Sequence, residues 1–348
     1  MSITKHYPMQ FTGAGGEYFV IWIVNIALTL VTLGIYSAWA KVRTLRWFYG
    51  HTLLDNQAFT YLATPMQILK GRLIALAALV AYYATSYFAP MLALLLLLAF
   101  FIAMPWIVVS SLRFHARMSA YRGLRFDFTG KLGEAAVIYI LLPLLILPTL
   151  GLILPYMAYR QVRFIAGNTV YGQTAARYAG SLKPFWGVYL LAFALLVLPL
   201  VAVGYGFYQG YQLQAAGLPK EMAGAAAAAS IGGGLIFFYL MLPVVSAMIM
   251  ARTANLLYNA TELGPVGFMS SQRARDLIWI YLSNLILIAL TLGIYIPWAK
   301  VRLARYRAGH LTVTGPQDLG QFAAGQQQGS TATGAEMADL LDLNLGLA

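Results

Sequence analysis

The sequence predicts an all-α polytopic membrane protein with internal repeats and short β-hairpin elements after the repeat helices. Three observations carry this. The 348-residue chain is 60% hydrophobic and only 10% charged, whereas soluble domains carry roughly a quarter charged residues. Its few charges are absent from long stretches, and the chain matches itself at fixed offsets.

No Asp, Glu, Lys or Arg occurs from Tyr18 to Ala40, Leu73 to Leu112, Ala135 to Tyr159, Pro184 to Pro219, Met222 to Ala251, or Leu277 to Ala299. Crossing a bilayer core takes roughly 20 apolar residues, and Pro90 divides the second run. The predicted apolar segments are therefore 18–40, 71–89, 92–112, 135–157, 185–207, 231–251 and 277–299. Ala38-Trp39-Ala40 looks like a leader cleavage site, but the run before it exceeds a usual leader core and is flanked by Lys5 and Glu17. The same Trp-Ala ending returns at Trp298-Ala299, so it reads as structural.

An offset of 117 pairs Phe11-Thr12-Gly13 with Phe128-Thr129-Gly130, Glu17 with Glu134 and Thr32-Leu33-Gly34 with Thr149-Leu150-Gly151. An offset of 259 pairs Asn25 with Asn284, and Thr32 to Tyr36 with Thr291 to Tyr295. It then pairs Trp39-Ala40-Lys41-Val42-Arg43 with Trp298-Ala299-Lys300-Val301-Arg302. A weaker offset of 67 pairs Trp39 with Trp106 and Arg46 with Arg113. The predicted organisation is repeat A within 1–127, repeat B over 128–267, a truncated repeat C over 268–316, and a disordered Gly/Gln-rich tail over 317–348.

Each copy has the same order. An apolar helix meets Thr-Leu-Gly, where Gly permits a helix end or a kink. An interfacial aromatic follows, at Trp39, Trp106, Tyr156 or Trp298. Arginines three apart then share one helix face, at Arg43/Arg46, Arg160/Arg163 and Arg302/Arg305. Last come short hairpin windows, Thr52 to Tyr61 around Asp55-Asn56 and Ala120 to Phe128 around Gly123.

The run Phe11-Thr12-Gly13, Glu17-Tyr18-Phe19, Thr32-Leu33-Gly34-Ile35-Tyr36, Trp39-Ala40 and Arg43 resembles the YjgN-like bacterial inner-membrane proteins of unknown function. The resemblance covers roughly 11–315 and weakens at Tyr156-Met157-Ala158, where the Trp-Ala ending is lost. It implies a multi-pass protein of the bacterial cytoplasmic membrane and supplies no activity, substrate or catalytic residue.

Two topologies compete. If every segment crosses once, the basic stretch 158–183 falls opposite 41–72 and 113–133, making repeats A and B inverted as in many transporters. If the Thr-Leu-Gly segments enter and return at Gly34, Gly151 and Gly293, all basic stretches share the cytoplasmic face, as positive-inside placement requires.

The net charge of +12 sits beside apolar runs, which points to anionic lipid rather than nucleic acid. With no cysteine, thiolate chemistry and disulfides are excluded. His6, His51, His115 and His310 form no metal-ligand spacing with carboxylates, so no cofactor, metal site or enzyme is expected. The candidate anion- or lipid-binding residues are Arg43, Arg46, Arg113, Arg160, Arg163, Arg302 and Arg305, whose guanidinium forks suit phosphate. Glu17, Glu134, Asn25 and Asn284 are candidates for lining a span or packing repeats together. The expected function is a permease or channel-like protein for a small solute or lipid. The alternative is a membrane organiser that grips anionic lipid or a protein through its Arg/Trp helix ends.

Overall fold

A computed structural model describes residues 5–320, 322 and 323. The chain opens with strands β1 (Lys5–Pro8) and β2 (Gln10–Phe11), then helices α1 (Gly15–Val31) and α2 (Ser37–Gly50) and strands β3 (Thr52–Leu54) and β4 (Gln57–Tyr61). A longer pair follows, α3 (Pro65–Phe88) and α4 (Pro90–Arg117), with β5 (Ser119–Tyr121) and β6 (Leu124–Phe128). The next entering arm is α5 (Leu132–Ala136), which runs through a π-helical turn at Val137–Leu141 into α6 (Leu142–Leu144). It returns as α7 (Leu154–Gly167), with β7 (Thr169–Tyr171) and β8 (Thr174–Tyr178). The longest pair is α8 (Lys183–Ala215) and α9 (Lys220–Asn259), leading to β9 (Thr261–Leu263) and β10 (Val266–Ser270). Helices α10 (Ala274–Leu290) and α11 (Ile296–Gly309) and strand β11 (Leu311–Gly315) complete the order.

Among the described residues four helices, α3, α4, α8 and α9, are long and apolar enough to cross a bilayer. The predicted segments 18–40, 135–157 and 277–299 are not straight spans. Each breaks at Thr-Leu-Gly and doubles back. The amide of Gly34 bonds Thr29 O five residues earlier, as Gly151 does to Ile146 O and Gly293 to Ile288 O, all at 2.8 Å. This is the closure of a Schellman turn, and Gly34, Gly151 and Gly293 take it with φ of 93°, 84° and 93°. The threonine starts the return, since Thr32 and Thr291 accept the amides of Tyr36 and Tyr295 at 2.9 and 3.0 Å. The arms are antiparallel: Tyr18 near the start of α1 stacks on Trp47 near the end of α2, with ring centroids 5.0 Å apart. At the tips Leu33, Leu150 and Leu292 are 93, 90 and 94% exposed, so lipid is the environment that suits them.

The all-helical expectation also needs enlarging. The short hairpins, with Asp55 and Asn56 both at positive φ as a two-residue hairpin turn favours, do not stand alone. They join one eleven-stranded sheet in the order β1-β11-β10-β9-β8-β7-β6-β5-β4-β3-β2, antiparallel at every pairing. Its two outermost strands, β1 and β2, are consecutive in the chain with only Met9 between them. Met9 itself donates to Leu311 O at 2.9 Å. The sheet therefore curls round until its edges meet in residues 5–11. Every strand-to-helix exit is pinned by one backbone bond to the end of an outgoing helix: Thr12 to His51, Leu62 to Met118, Thr129 to Asn168, Ala179 to Ala260 and Ser271 to His310.

The helix pairs stand around this ring in chain order, and α11 packs against α1 to complete the circuit. Pair α8–α9 is held by small residues. A Cβ on Gly210 would sit 2.7 Å from Ala227 Cβ, and one on Gly234 3.0 Å from the Val203 amide, so the two backbones approach closely. Gly232 and Gly233, by contrast, face open space.

A hydrogen-bonded sheet cannot have members on both faces of a bilayer, because unpaired backbone is not tolerated in hydrocarbon. All six strand-bearing stretches therefore share one face, and the inverted arrangement of repeats A and B does not hold. Single cysteines placed at Asn56 and Gln173 should react alike with a membrane-impermeant thiol reagent in intact cells, while one at Gln212 reacts oppositely. Opposite behaviour of Asn56 and Gln173 would break the ring.

Candidate functional site

Two cavities lie on the axis of the ring. The first is the inside of the sheet. Its wall takes residues from around the circle, among them Leu54, Phe59, Tyr121, Phe126, Tyr171, Leu263, Val266, Phe268 and Val313, enclosing about 120 Å³. Period-two alternation sends these side chains inward and leaves polar neighbours such as Thr60 and Arg125 outward. The tyrosine hydroxyls are consumed by backbone: Tyr121 donates to Leu54 O at 2.8 Å and Tyr171 to Tyr121 O at 2.9 Å.

The mouth away from the helices is stopped by the chain itself. The expected disordered tail from 317 instead begins with a docked segment. Leu319 is buried, and Phe322 lies over Tyr171 with ring centroids 6.3 Å apart. Tyr7 Oη lies 2.7 Å from both the Pro316 and Gln317 carbonyl oxygens, to which it donates. Asp55 and Arg122 form an ion pair at the same rim. The rest of the expected disordered tail, from 324 onward, lies outside the described residues.

The second cavity is a vestibule of about 650 Å³ between the helices and the ring, lined by Met9, Leu311, Val162, Ile249, Met250 and Leu257 with polar Gln161, Thr253, Tyr258, Gln272 and Arg307. Thr253 brings a buried hydroxyl with no partner. Met9 lines both cavities, so they are neighbours across one side chain. Composition alone gave no sign of either, because the lining residues come from distant elements and are ordinary one by one.

The candidate arginines divide. Three of them reach across a hairpin to the chain leaving it: Arg46 to Ala63 O at 3.0 Å, Arg113 to Phe128 O at 3.2 Å and Arg305 to Gly13 O at 3.0 Å. Their positions match at the offsets of 67 and 259, and each ties a helix to the chain leaving the neighbouring hairpin. Arg160 bonds Tyr156 Oη at 2.9 Å and stands 3.8 Å from Glu134. Arg302 donates to Ser283 Oγ at 2.7 Å and Asn284 Oδ1 at 3.3 Å. Arg43 and Arg163 are exposed. Glu17 is exposed too, 3.8 Å from His51; neither it nor Glu134 lines either axial cavity.

Asn25 and Asn284 are buried. Each donates across its own helix pair, to Ala40 O at 3.4 Å and Ala299 O at 3.5 Å, tying the arms of one pair rather than linking one repeat to another. Trp39 and Trp298 stack on Tyr36 and Tyr295, and Trp298 also fills the space a Cβ on Gly15 would need. Trp106 is exposed on α4. Among the described residues no cluster of His, Asp and Glu is arranged to hold a metal ion.

Comparison with known proteins gives one family and several relatives. The family model described as bacterial protein of unknown function, DUF898, matches residues 6–340. The chain is 26% identical over 355 residues to the inner membrane protein YjgN of Salmonella typhimurium, covering 90% of each. It is 29% identical over 152 residues to the inner membrane protein YjgN of Escherichia coli O157:H7, covering 43% of this chain and 38% of that one. No solved structure matches. The resemblance read from Phe11 to Arg43 is thereby borne out.

Two outcomes follow for the ring. Replacing Arg305 by Gln strands the Gly13 carbonyl and should lower unfolding stability by about 1–3 kcal/mol, read as a fall in melting temperature. Burial raises Tyr171 and Tyr178 from 10.0 to about 12. A phenol whose folded pKa is raised stabilises the fold below the unfolded pKa and loses that contribution as pH rises through the folded one. The sheet should therefore weaken between pH 10 and about 12, with tyrosinate absorbance rising together with unfolding.

Proposed function

The chain belongs to the DUF898 family of bacterial proteins of unknown function, and from that premise we propose that it is a permease or channel-like protein for a small solute or lipid. Its place in this reading is the bacterial inner membrane, in keeping with the names of its relatives. The vestibule is the binding chamber, and the sheet ring with its docked carboxyl-terminal segment is the closed gate.

The observation that carries the reading is the stacking of vestibule and lumen across Met9. A mixed polar and apolar chamber of that size suits a small amphipathic ligand. Its unpartnered Thr253 hydroxyl and Arg307 offer a donor and a cation to such a ligand. Matched positions at 117 and 259 further suggest that one helix-pair-and-hairpin unit is used repeatedly around the axis.

A second reading, a membrane organiser that binds anionic lipid, draws on a different place. An open pocket of about 810 Å³ between α10 and α11 collects Arg275, Arg302, Arg305 and His310, with one carboxylate at Asp276, beside Trp279.

The test uses the full chain in proteoliposomes, with Leu319→Asn and Phe322→Asn combined to loosen the plug. Release of a trapped small fluorophore, or transbilayer exchange of a labelled lipid, should be faster than with the unmodified chain, and Met9→Trp should reverse it. Rates equal to protein-free vesicles in every variant would overturn the conduit and leave the organiser.

A further inference from the structure

A groove on the outside of the ring differs from the two axial cavities. It runs between the arms of the first helix pair. Helix α1 contributes Trp22, Asn25, Ile26 and Leu30, positions spaced to form one stripe. Helix α2 contributes Ser37 and Lys41, and Lys300 enters from α11; the volume is about 490 Å³. Arg72 of α3 bonds the Ser37 hydroxyl at its rim. Among the described residues no carboxylate lines it.

One atom in this groove is out of balance. Asn25 is 5% exposed, its amide nitrogen is engaged with Ala40 O, and its Oδ1 has no partner. A buried carbonyl oxygen without a donor costs roughly 1–3 kcal/mol. The counterpart at the offset of 259 shows how the same atom is satisfied elsewhere. Asn284 makes the matching bond to Ala299 O, but its Oδ1 accepts from Arg302, which Ser283 Oγ holds in place. In the first pair the residue matching Ser283 is Val24, which has no hydroxyl to hold Arg43. Arg43 stays exposed and the acceptor stays open.

We propose that this groove binds the headgroup of an anionic phospholipid that carries hydroxyl donors, with a phosphoglycerol headgroup as the type. The phosphate sits between Lys41 and Lys300, a headgroup hydroxyl donates to Asn25 Oδ1, and an acyl chain follows Trp22, Ile26 and Leu30 toward the exposed tip at Leu33. Point-charge ammoniums suit a phosphate that must exchange with the bilayer. The tip, which suits lipid surroundings, puts the apolar end of the groove where acyl chains are. The site stands whether the protein conducts or organises.

The experiment is a calorimetric titration of the purified full chain in neutral detergent. The probes are dihexanoyl phosphatidylglycerol, dihexanoyl phosphatidylcholine and inorganic phosphate. Phosphatidylglycerol should bind saturably, and phosphatidylcholine, whose headgroup has no hydrogen-bond donor, should not. Lys41→Gln with Lys300→Gln should weaken phosphatidylglycerol roughly thirtyfold, at about 1 kcal/mol for each lysine. Asn25→Leu should weaken it as well. If that variant unfolds, Thr29→Val and Ser37→Ala leave the amide in place and report on the same groove. Binding of phosphatidylglycerol that ignores all these changes overturns the site. Inorganic phosphate that binds as tightly and displaces the lipid overturns the lipid as occupant.

Discussion

The whole arrangement depends on where the sheet closes. Strand β1 pairs with β11, joining Lys5 to Gly315 and Pro8 to Thr312, and one residue later the same segment hands over to β3. Arg305 repeats the closure in side-chain form by bonding Gly13 O from 292 positions away. Without these contacts the sheet would be an open ribbon with two unpaired edges, which sheets avoid. Closed, it fixes the circular order of the helix pairs, places every hairpin turn on one face, and gathers an apolar lumen from strands that are each only two to five residues long. Strands so short hold little structure alone; the circle makes them cooperative.

Much of this was legible in the residues. The uncharged runs marked the crossing helices, and the hairpin windows at 52–61 and 120–128 became β3–β4 and β5–β6. The family was readable from Thr-Leu-Gly-Ile-Tyr and its surroundings. The sequence also held the argument against inverted repeats, in basic stretches that had to share a side. Helix length argued against it, because about 23 apolar residues fit one span, and what decides is the turn. Leu33 and Gly34 both at positive φ reverse the chain, and Thr32 supplies the cap that starts it again.

The rest was hidden for physical reasons. Which hairpin pairs with which is a matter of long-range register, and period-two patterns in three-residue strands carry too little information to choose partners. The cavities are assembled from side chains far apart in the chain. The arginines carry a second meaning. Their recurrence suggested phosphate recognition, and Arg46, Arg113 and Arg305 also each give a donor to a carbonyl at a hairpin exit. Recurrence reports a repeated backbone need as readily as a repeated ligand. The amide at Asn25 says more, since its counterpart at Asn284 is satisfied and it is not.

The joining of β1 to β11 also sets a timetable. Strand β1 is made before every other strand of the sheet, and its partner β11 after them all. During synthesis at roughly 5–20 residues per second, β2 can find β3 early, but β1 must wait for the rest of the chain. The growing sheet therefore carries two raw edges through the insertion of both crossing helix pairs. The order of birth around the circle, each hairpin laid beside the one before it, is the order that leaves the fewest unpaired edges exposed at any moment. Assembly by sequential addition, with closure as the final event, follows from the path of the chain alone.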